Sequence, residues 1–107
     1  MLLAQVTGHV VATQKVTSMV GKKLLIVEPL RLDEKSRDRL RGTGRTLIAV
    51  DSLGAGAGQV VLICQGSSAR LTPETGELPI DAVVIGIVDS VGTGERTVFD
   101  ASRGIAQ

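Results

Sequence analysis

Three closely spaced glycines, Gly54, Gly56 and Gly58, lie in the segment VDSLGAGAGQVVLICQ, residues 50–65. Glycines in such a pattern bind a phosphate when they follow a strand and open a helix, because the helix N-terminus then faces the anion. Here QVVLICQ follows directly, a β-branched run that predicts a strand, and the Lys-Ser/Thr of a P-loop is missing. The segment is therefore predicted to be a strand-to-strand turn. Its glycines would adopt positive φ and leave room for neighbouring backbone, while Asp51 accepts amide hydrogen bonds.

Few potential nucleophiles, bases or metal ligands accompany this loop. His9 is the only histidine and lies on the polar face of the first predicted strand, and Cys64, among aliphatic residues, is predicted to be a small buried hydrophobic residue. One Cys and one His cannot build a structural zinc site within one chain. Ser67 and Ser68 have no evident base and are predicted to hydrogen-bond local backbone. We therefore expect no enzyme, no metal and no cofactor.

The elements that position these residues are predicted to be strands. Period-two or β-branched apolar runs occupy residues 2–15, 23–30, 46–51, 59–65 and 81–91, and Pro29 marks the end or an edge of the second run. Helix is scarce, apart from a short turn predicted at SSARL from Ser67. Short strands separated by turns predict an all-β fold, a small five-stranded OB-like barrel with short helical turns and a C-terminal extension.

Residues 31–45 are strongly charged and are predicted to form a long, solvated loop between the second and third strands. Asp33 or Ser36 could cap a short helix there, ended by Gly42. The segment carries six basic residues, Arg31, Lys35, Arg37, Arg39, Arg41 and Arg45, against three acids, Asp33, Glu34 and Asp38.

Composition narrows the class of protein. The 107 residues are 43% hydrophobic but include one Phe, no Trp and no Tyr, so the core must be aliphatic, and either tightly fitted or extended by partner subunits. A net charge of +1 gives no general electrostatic reason for binding nucleic acid or an anionic membrane. The single Cys excludes an intrachain disulfide, and no signal peptide or apolar span is evident, so an intracellular protein is expected.

Three segments together resemble the signature blocks of the EutN/CcmL family of bacterial microcompartment vertex proteins. They are VTGHVVATQKVTSMVGKKLLIVEPL at residues 6–30, VDSLGAGAGQVVLICQGSSAR at residues 50–70, and PIDAVVIGIVDSV at residues 79–91. The resemblance implies an OB-like barrel that forms homopentamers and occupies the five-fold vertices of a protein shell in the bacterial cytoplasm. It also implies a structural rather than catalytic role beside hexameric shell proteins. From the charge, composition and motifs above we expect no cofactor, no nucleic acid and no membrane.

The resemblance favours a subunit-boundary role for Arg70, which could pair with Asp81 or Asp89 within the chain or across a boundary. Ser67 and Ser68 could also face a narrow axial opening, and the loop with Arg37, Arg39 and Arg41 is a candidate for the rim that meets the shell. The complete predicted subunit interface comprises Asp51, Gly54, Gly56, Gly58, Ser67, Ser68 and Arg70.

Residues 1–91 are predicted to form the barrel domain and residues 92–107 a C-terminal extension. In the extension, RTVFD either adds a short strand that reaches a neighbouring subunit or lies in a disordered tail. The lone Phe99 favours docking, because large apolar groups are rarely left wholly exposed.

Two other functions fit the predicted barrel. OB-like barrels often bind nucleic acid, but they stack bases on aromatic side chains, of which this chain has almost none, so only nonspecific phosphate contacts by the Arg-rich loop remain. An oligomeric scaffold unrelated to shells would share the ring and lack shell partners.

Overall fold

The computed structural model describes residues 1–33, 35 and 39–105. Its strands alternate with turns, and two short 3-10 turns, Thr17–Met19 and Gly66–Arg70, are the helical elements of the described chain. The strands are β1 (Leu2–Val10), β2 (Lys23–Leu32), β3 (Leu40–Gly42), β4 (Leu47–Asp51), β5 (Val60–Gln65), β6 (Ala82–Ile87), β7 (Ser90–Thr93), β8 (Arg96–Asp100) and β9 (Gly104–Ile105).

Five of these strands close into a barrel. Their order is β1-β5-β6-β4-β2, with β3 added beyond β2, and pairing of β1 with β2 closes the circle. The β4–β6 pair is parallel, with Val50 opposite Val83, whereas the other barrel pairs are antiparallel. Closure removes the exposed sheet edges that would otherwise invite aggregation. The predicted all-β fold with a five-stranded barrel is confirmed.

The barrel interior is filled by one face of each strand. Because successive side chains point to opposite faces, every second residue faces inward. The core is aliphatic and contains several alanines, which lets a barrel of only five strands close around it. Its buried members are Ala4, Val6, Leu25, Val27, Ala49, Ala55, Val61, Ile63, Ala82 and Val84.

Two further apolar clusters cover parts of the barrel's outer surface. In one, which we call the turn cluster, the 3-10 turn residue Ala69 packs with Val50 and Val83, flanked by Met19, Leu24, Cys64, Ile80 and Ile85. In the other, the C-terminal cluster, Val98 and Phe99 pack with Leu40 and Val60. A short chain thus buries additional aliphatic surface by laying its connections against the outside of its barrel.

The charged segment after β2 differs from the prediction. β2 continues through Pro29, which lies opposite Ala4 of β1, and β3 pairs back onto residues 30–32 of β2. The helix suggested to end at Gly42 is wrong for residues 40–42, which form a strand because this places Leu40 in the C-terminal cluster at 3% exposure. Ser36, the alternative cap, lies outside the described residues; the Oδ1 atom of Asp33 accepts a hydrogen bond from the amide of Lys35.

Two predicted strands have different bounds. The first ends at Val10 rather than near residue 15, and the last is divided into β6 and β7, with Val88 and Asp89 between them. The division lets β7, β8 and β9 form a separate three-stranded sheet. Phe99 is 4% exposed within it, so RTVFD is a strand that packs on its own chain.

A tight turn after β8 leads into β9. The Ser102 side chain and amide donate hydrogen bonds to Oδ1 of Asp100, and Arg103 lies near the same carboxylate. These contacts, led by the Ser102 hydroxyl, hold the pKa of Asp100 below its ordinary value. The turn therefore carries a charged carboxylate whose hydrogen bonds are local.

Candidate subunit-interface site

Two of the three glycines of the loop between β4 and β5 are required by backbone conformation. Gly54 and Gly58 have φ values of 86° and 85°, in the left-handed region that disfavours other residues. Gly56 has no positive φ, and a Cβ placed on it would meet only Oε1 of Gln59, at 3.8 Å. Nothing within this chain therefore requires a glycine at position 56. The predicted positive φ is found at Gly54 and Gly58. The space that these glycines were predicted to leave for neighbouring backbone is not filled by backbone of the same chain.

Asp51 holds this loop in shape. Its Oδ1 accepts a hydrogen bond from the amide of Leu53 at 2.9 Å, and its Oδ2 accepts one from the amide of Ala55 at 2.7 Å. The amine of Lys23 lies 3.6 Å from Oδ2 and donates to the carbonyl of Ala55 at 2.8 Å. The Asp51 side chain is fully buried, at 0% exposure. The predicted amide contacts of Asp51 are confirmed, and they occupy both carboxylate oxygens.

The other end of the loop is tied to β1. The amide of Gly58 donates to the carbonyl of Val6 at 2.8 Å, and the amide of Val6 donates to the carbonyl of Gln59 at 2.9 Å. Oε1 of Gln59 accepts from the amide of Gly56 at 2.7 Å. Sequence reasoning missed both Lys23 and Gln59. Lys23 could have been found only from its position opposite Asp51 on the neighbouring strand, and that position depends on the strand register.

The 3-10 turn Gly66–Arg70 forms the second part of the predicted interface. Ser67, Ser68 and Arg70 are exposed, whereas Ala69 is fully buried beneath them. Nη1 of Arg70 donates to the carbonyl of Ile80 at 3.0 Å. Within the described residues Arg70 forms no ion pair with Asp81 or Asp89. The predicted pairing inside the subunit is therefore not observed, and pairing across a subunit boundary stays a prediction.

These two parts lie against the same cluster. Val50, which precedes Asp51, packs with Ala69 of the 3-10 turn in the turn cluster. The residue that precedes Asp51 and the buried residue of the 3-10 turn thus share one apolar cluster. The glycines of the loop and the polar residues Ser67, Ser68 and Arg70 of the turn are exposed.

The basic segment forms a separate surface on the β2–β3 hairpin. Arg41 is exposed and pairs with Asp33 at 2.5 Å, and Arg39 is half-buried. Arg37 lies outside the described residues. A shallow groove of about 310 Å³ is lined by Arg31, Asp33, Lys35 and Arg41.

The residues that could do chemistry are scattered. His9 is exposed, and Cys64 is half-buried against the turn cluster rather than fully buried as predicted. Across residues 1–33, 35 and 39–105, no three His, Cys, Asp or Glu side chains come together as metal ligands do. In the same residues, no helix has the length and apolarity needed to cross a bilayer. Phe99, the only Phe of a chain without Trp or Tyr, is buried, so its ring offers no surface on which a base could stack.

A family model described as ethanolamine utilisation protein EutN/carboxysome matches residues 1–89. The chain belongs to the EutN/CcmL family. Among relatives, it is 46% identical over 91 residues to the bacterial microcompartment shell vertex protein PduN of Salmonella typhimurium, covering 85% of this chain and 98% of that protein. It is 36% identical over 100 residues to the carboxysome shell vertex protein CcmL of Synechocystis, with 94% of each chain covered.

Solved structures of the EutN/CcmL family show the same fold. CcmL from Gloeobacter violaceus superposes with a TM-score of 0.83 at 36% identity, covering 95% of this chain and 99% of that chain. A structure described as GrpN pentameric microcompartment shell protein from Rhodospirillum rubrum has a TM-score of 0.72 at 42% identity, covering 89% of this chain and all of that chain. The family predicted from the three sequence blocks is confirmed, and its named members are structural shell proteins, not enzymes.

Proposed function

We propose that this chain forms a homopentamer that caps the five-fold vertices of a bacterial microcompartment shell in the cytoplasm. The observation that carries the proposal is the likeness to the pentameric shell protein of Rhodospirillum rubrum, at 42% identity over 89% of this chain. A sheet of hexagonally packed tiles stays flat, so a closed polyhedral shell needs five-fold units at its corners. The partners of the pentamer would then be hexameric shell proteins.

The glycine loop and the 3-10 turn form much of the proposed ring interface. A closed ring requires a heterologous contact, in which one patch of each subunit meets a different patch of the next. Gly56 supports this assignment, because its own chain leaves open space around it that neighbouring backbone could fill. Asp51 contributes indirectly, since its buried carboxylate is occupied in shaping the loop.

Arg70 is suited to the same interface. Its guanidinium has five N–H donors, and the described contact with the carbonyl of Ile80 engages Nη1 alone. The remaining donors face solvent and can bind a carboxylate of the next subunit. Ser67 and Ser68, exposed on the same turn, would lie near the five-fold axis and line its opening.

The basic hairpin of β2 and β3 is proposed as the rim that meets the hexameric tiles. Arg41 is exposed there, and Arg37 and Arg39 precede it in the sequence. A rim of charged side chains forms contacts that depend on salt, as surface ion pairs do.

Native mass spectrometry of the purified chain tests the pentamer. We expect a discrete species with five times the 11.1 kDa mass of one chain, and a monomer or dimer would contradict the proposal. Arg70→Glu and Gly56→Val are each expected to dissociate the ring at micromolar concentration, whereas Arg45→Glu, an exposed charge reversal on the basic segment, should leave it intact. If both interface variants stay pentameric, the assigned residues are wrong and the pentamer stands.

Coexpression with hexameric shell tiles tests the vertex role. Closed particles should form only when this chain is present, and open sheets or tubes should form without it, as seen by electron microscopy. A pentamer that never enters such particles would instead be a ring scaffold unrelated to shells.

A further inference from the structure

We infer that each subunit of the ring holds the next through a contact between two oppositely charged surfaces: a basic, valine-rich connection and an acidic loop of a second copy. The inference rests on the proposed pentamer and specifies how its subunits join. The basic connection comprises residues 11–22, between β1 and β2. The acidic loop comprises residues 71–81, between the 3-10 turn Gly66–Arg70 and β6.

The basic connection exposes apolar side chains that the rest of the described chain leaves uncovered. Val11, Val16 and Val20 are 78%, 61% and 63% exposed. Lys15 and Lys22 are exposed beside them, and the first 27 residues of the chain contain three Lys and no acidic residue. An open groove of about 380 Å³ runs along this surface; its lining includes His9, Val10, Val11, Lys15, Lys22 and Leu24.

The acidic loop offers the complementary chemistry. Glu74, Glu77 and Asp81 are exposed, and residues 71–94 contain four acids and no Lys or Arg. Leu71 is 81% exposed and provides an apolar group beside the charges. A contact with apolar side chains at its centre and charges at its rim is the usual composition of a protein interface.

The acidic loop is held firmly in place. Thr75 is 1% exposed; its hydroxyl contacts that of Thr72 at 2.6 Å and donates to the carbonyl of Ala69 at 2.7 Å. Leu78 is buried, and the carbonyl of Asp81 accepts a hydrogen bond from the amide of Gly66. The exposed carboxylates therefore project from an ordered loop, so less conformational entropy is lost when a partner binds.

The two surfaces do not neutralise each other within one subunit. Both lie beside the turn cluster, because Met19 of the basic connection and Ile80 of the acidic loop pack against it. However, the described residues contain no ion pair between Lys15 or Lys22 and any acid of the loop. The charges of both surfaces therefore remain available to a partner.

A head-to-tail contact with a second copy of the chain fits these surfaces better than a two-fold contact that pairs either surface with itself. A two-fold contact that paired either surface with itself would place like charges together, which is costly. A head-to-tail contact pairs the basic connection of one subunit with the acidic loop of the next, and it closes into a ring when the rotation divides the circle.

Charge reversal and its restoration test this contact. One variant carries Lys15→Glu with Lys22→Glu, a second carries Glu74→Lys with Glu77→Lys, and a third carries all four substitutions. Native mass spectrometry should show loss of the pentamer in the first and second, and its recovery in the third, because every contact is again between opposite charges. The control Lys35→Glu with Arg45→Glu changes the net charge as much as the first variant, on the basic segment after β2, and should remain pentameric.

The outcomes separate this contact from the pentamer itself. A wild-type chain that is not pentameric contradicts the proposed function, and this inference with it. A pentameric wild type whose first and second variants also stay pentameric contradicts only the inference. If those variants stay pentameric but no longer bind hexameric tiles, the basic connection or the acidic loop faces the tiles instead.

A measurement on the unmodified chain guards against variants that do not fold. Pentamers assembled from a mixture of ¹⁵N-labelled and unlabelled chains are treated with a carbodiimide, which joins an amine directly to a neighbouring carboxylate. We expect peptides that link Lys15 or Lys22 of one isotopic form to Glu74, Glu77 or Asp81 of the other. Links to those acids found only within one isotopic form would overturn the contact between copies.

Discussion

Asp51 is the side chain on which the conformation of the glycine loop depends most directly. It accepts amide hydrogen bonds on both carboxylate oxygens and is fully buried, with Lys23 as its charged neighbour. A carboxylate bound in this way has only acceptors, which match the donors that surround it. An amide at this position would keep one acceptor oxygen, but its NH2 group would present donors to the other backbone amide.

Asp51→Asn is therefore expected to destabilise the chain by about 1 to 3 kcal/mol, because one backbone amide of the loop is left without an acceptor. Urea unfolding at fixed protein concentration measures the loss. Glu95→Gln, an exposed acid in the turn between β7 and β8, is the matched control and should change the midpoint little. An unchanged midpoint for Asp51→Asn would show that the loop holds its conformation without this carboxylate.

At the scale of elements, the loop between β4 and β5 contains glycines of two kinds: Gly58 has a positive φ, whereas Gly56 does not and has open space around it. Gly58→Ala is expected to destabilise the fold by about 1 to 2 kcal/mol, because φ at that position is positive and the added Cβ approaches the following carbonyl. Gly56→Ala should be neutral or slightly stabilising in the fold, since its φ is ordinary and the space is open. Thermal unfolding of the two variants gives the comparison, and equal losses would mean that conformation at position 58 is not the cause.

The sheet of β7, β8 and β9 depends on one aromatic side chain. Phe99→Ala is expected to cost about 3 to 5 kcal/mol and to loosen the three strands first, because Phe99 is buried in the C-terminal cluster. Amide hydrogen exchange of β7 and β8 should rise more than that of β1 and β5. Thr97→Ala, an exposed position on the same strand, is the control. If the two variants exchanged alike, packing by Phe99 would not be what seats the sheet.

Whether a segment forms a strand or a helix was predictable where its sequence favours only one of the two. The β-branched run after Gly58 has no competing signal, and β5 begins within a residue of its predicted start. The segment containing Leu40 carries cap residues and many charges, so local rules favoured a loop or a short helix, whereas burial of Leu40 against the C-terminal cluster decided for a strand. The residues of that cluster are distant in sequence, so a pattern of neighbouring residues could not predict it.

At the scale of the whole molecule, the division into a barrel domain at residues 1–91 and an extension at residues 92–107 is a prediction that truncation tests. A chain that ends at residue 91 keeps all five barrel strands but loses Val98 and Phe99, so Val60 and Leu40 become exposed. We expect a folded barrel with lower unfolding temperature and a tendency to aggregate. Circular dichroism and light scattering measure both, and a truncated chain without strand structure would show that the barrel is not an independent domain.

The candidate interface was predictable in part, because some of its contacts are between neighbouring residues and others are between segments distant in sequence. Gly54, Gly58 and Asp51 belong to a local turn whose chemistry is written in adjacent residues, so their conformations followed from the sequence. Lys23 reaches that loop from another strand. The opposite charges of residues 11–22 and 71–81 suggest a contact only once the fold is known to place both segments beside the turn cluster. Relations between distant segments needed the structure.

The burial of Phe99 also gives this chain an internal spectroscopic reporter. With no Tyr or Trp in the sequence, the circulating π electrons of this phenyl ring are the main source of ring-current shifts for nearby methyl groups. The methyls of Leu40 and Val60 pack in the same cluster and should resonate at displaced frequencies. Those frequencies would then follow the seating of the C-terminal strands inside an assembled particle, without any attached label.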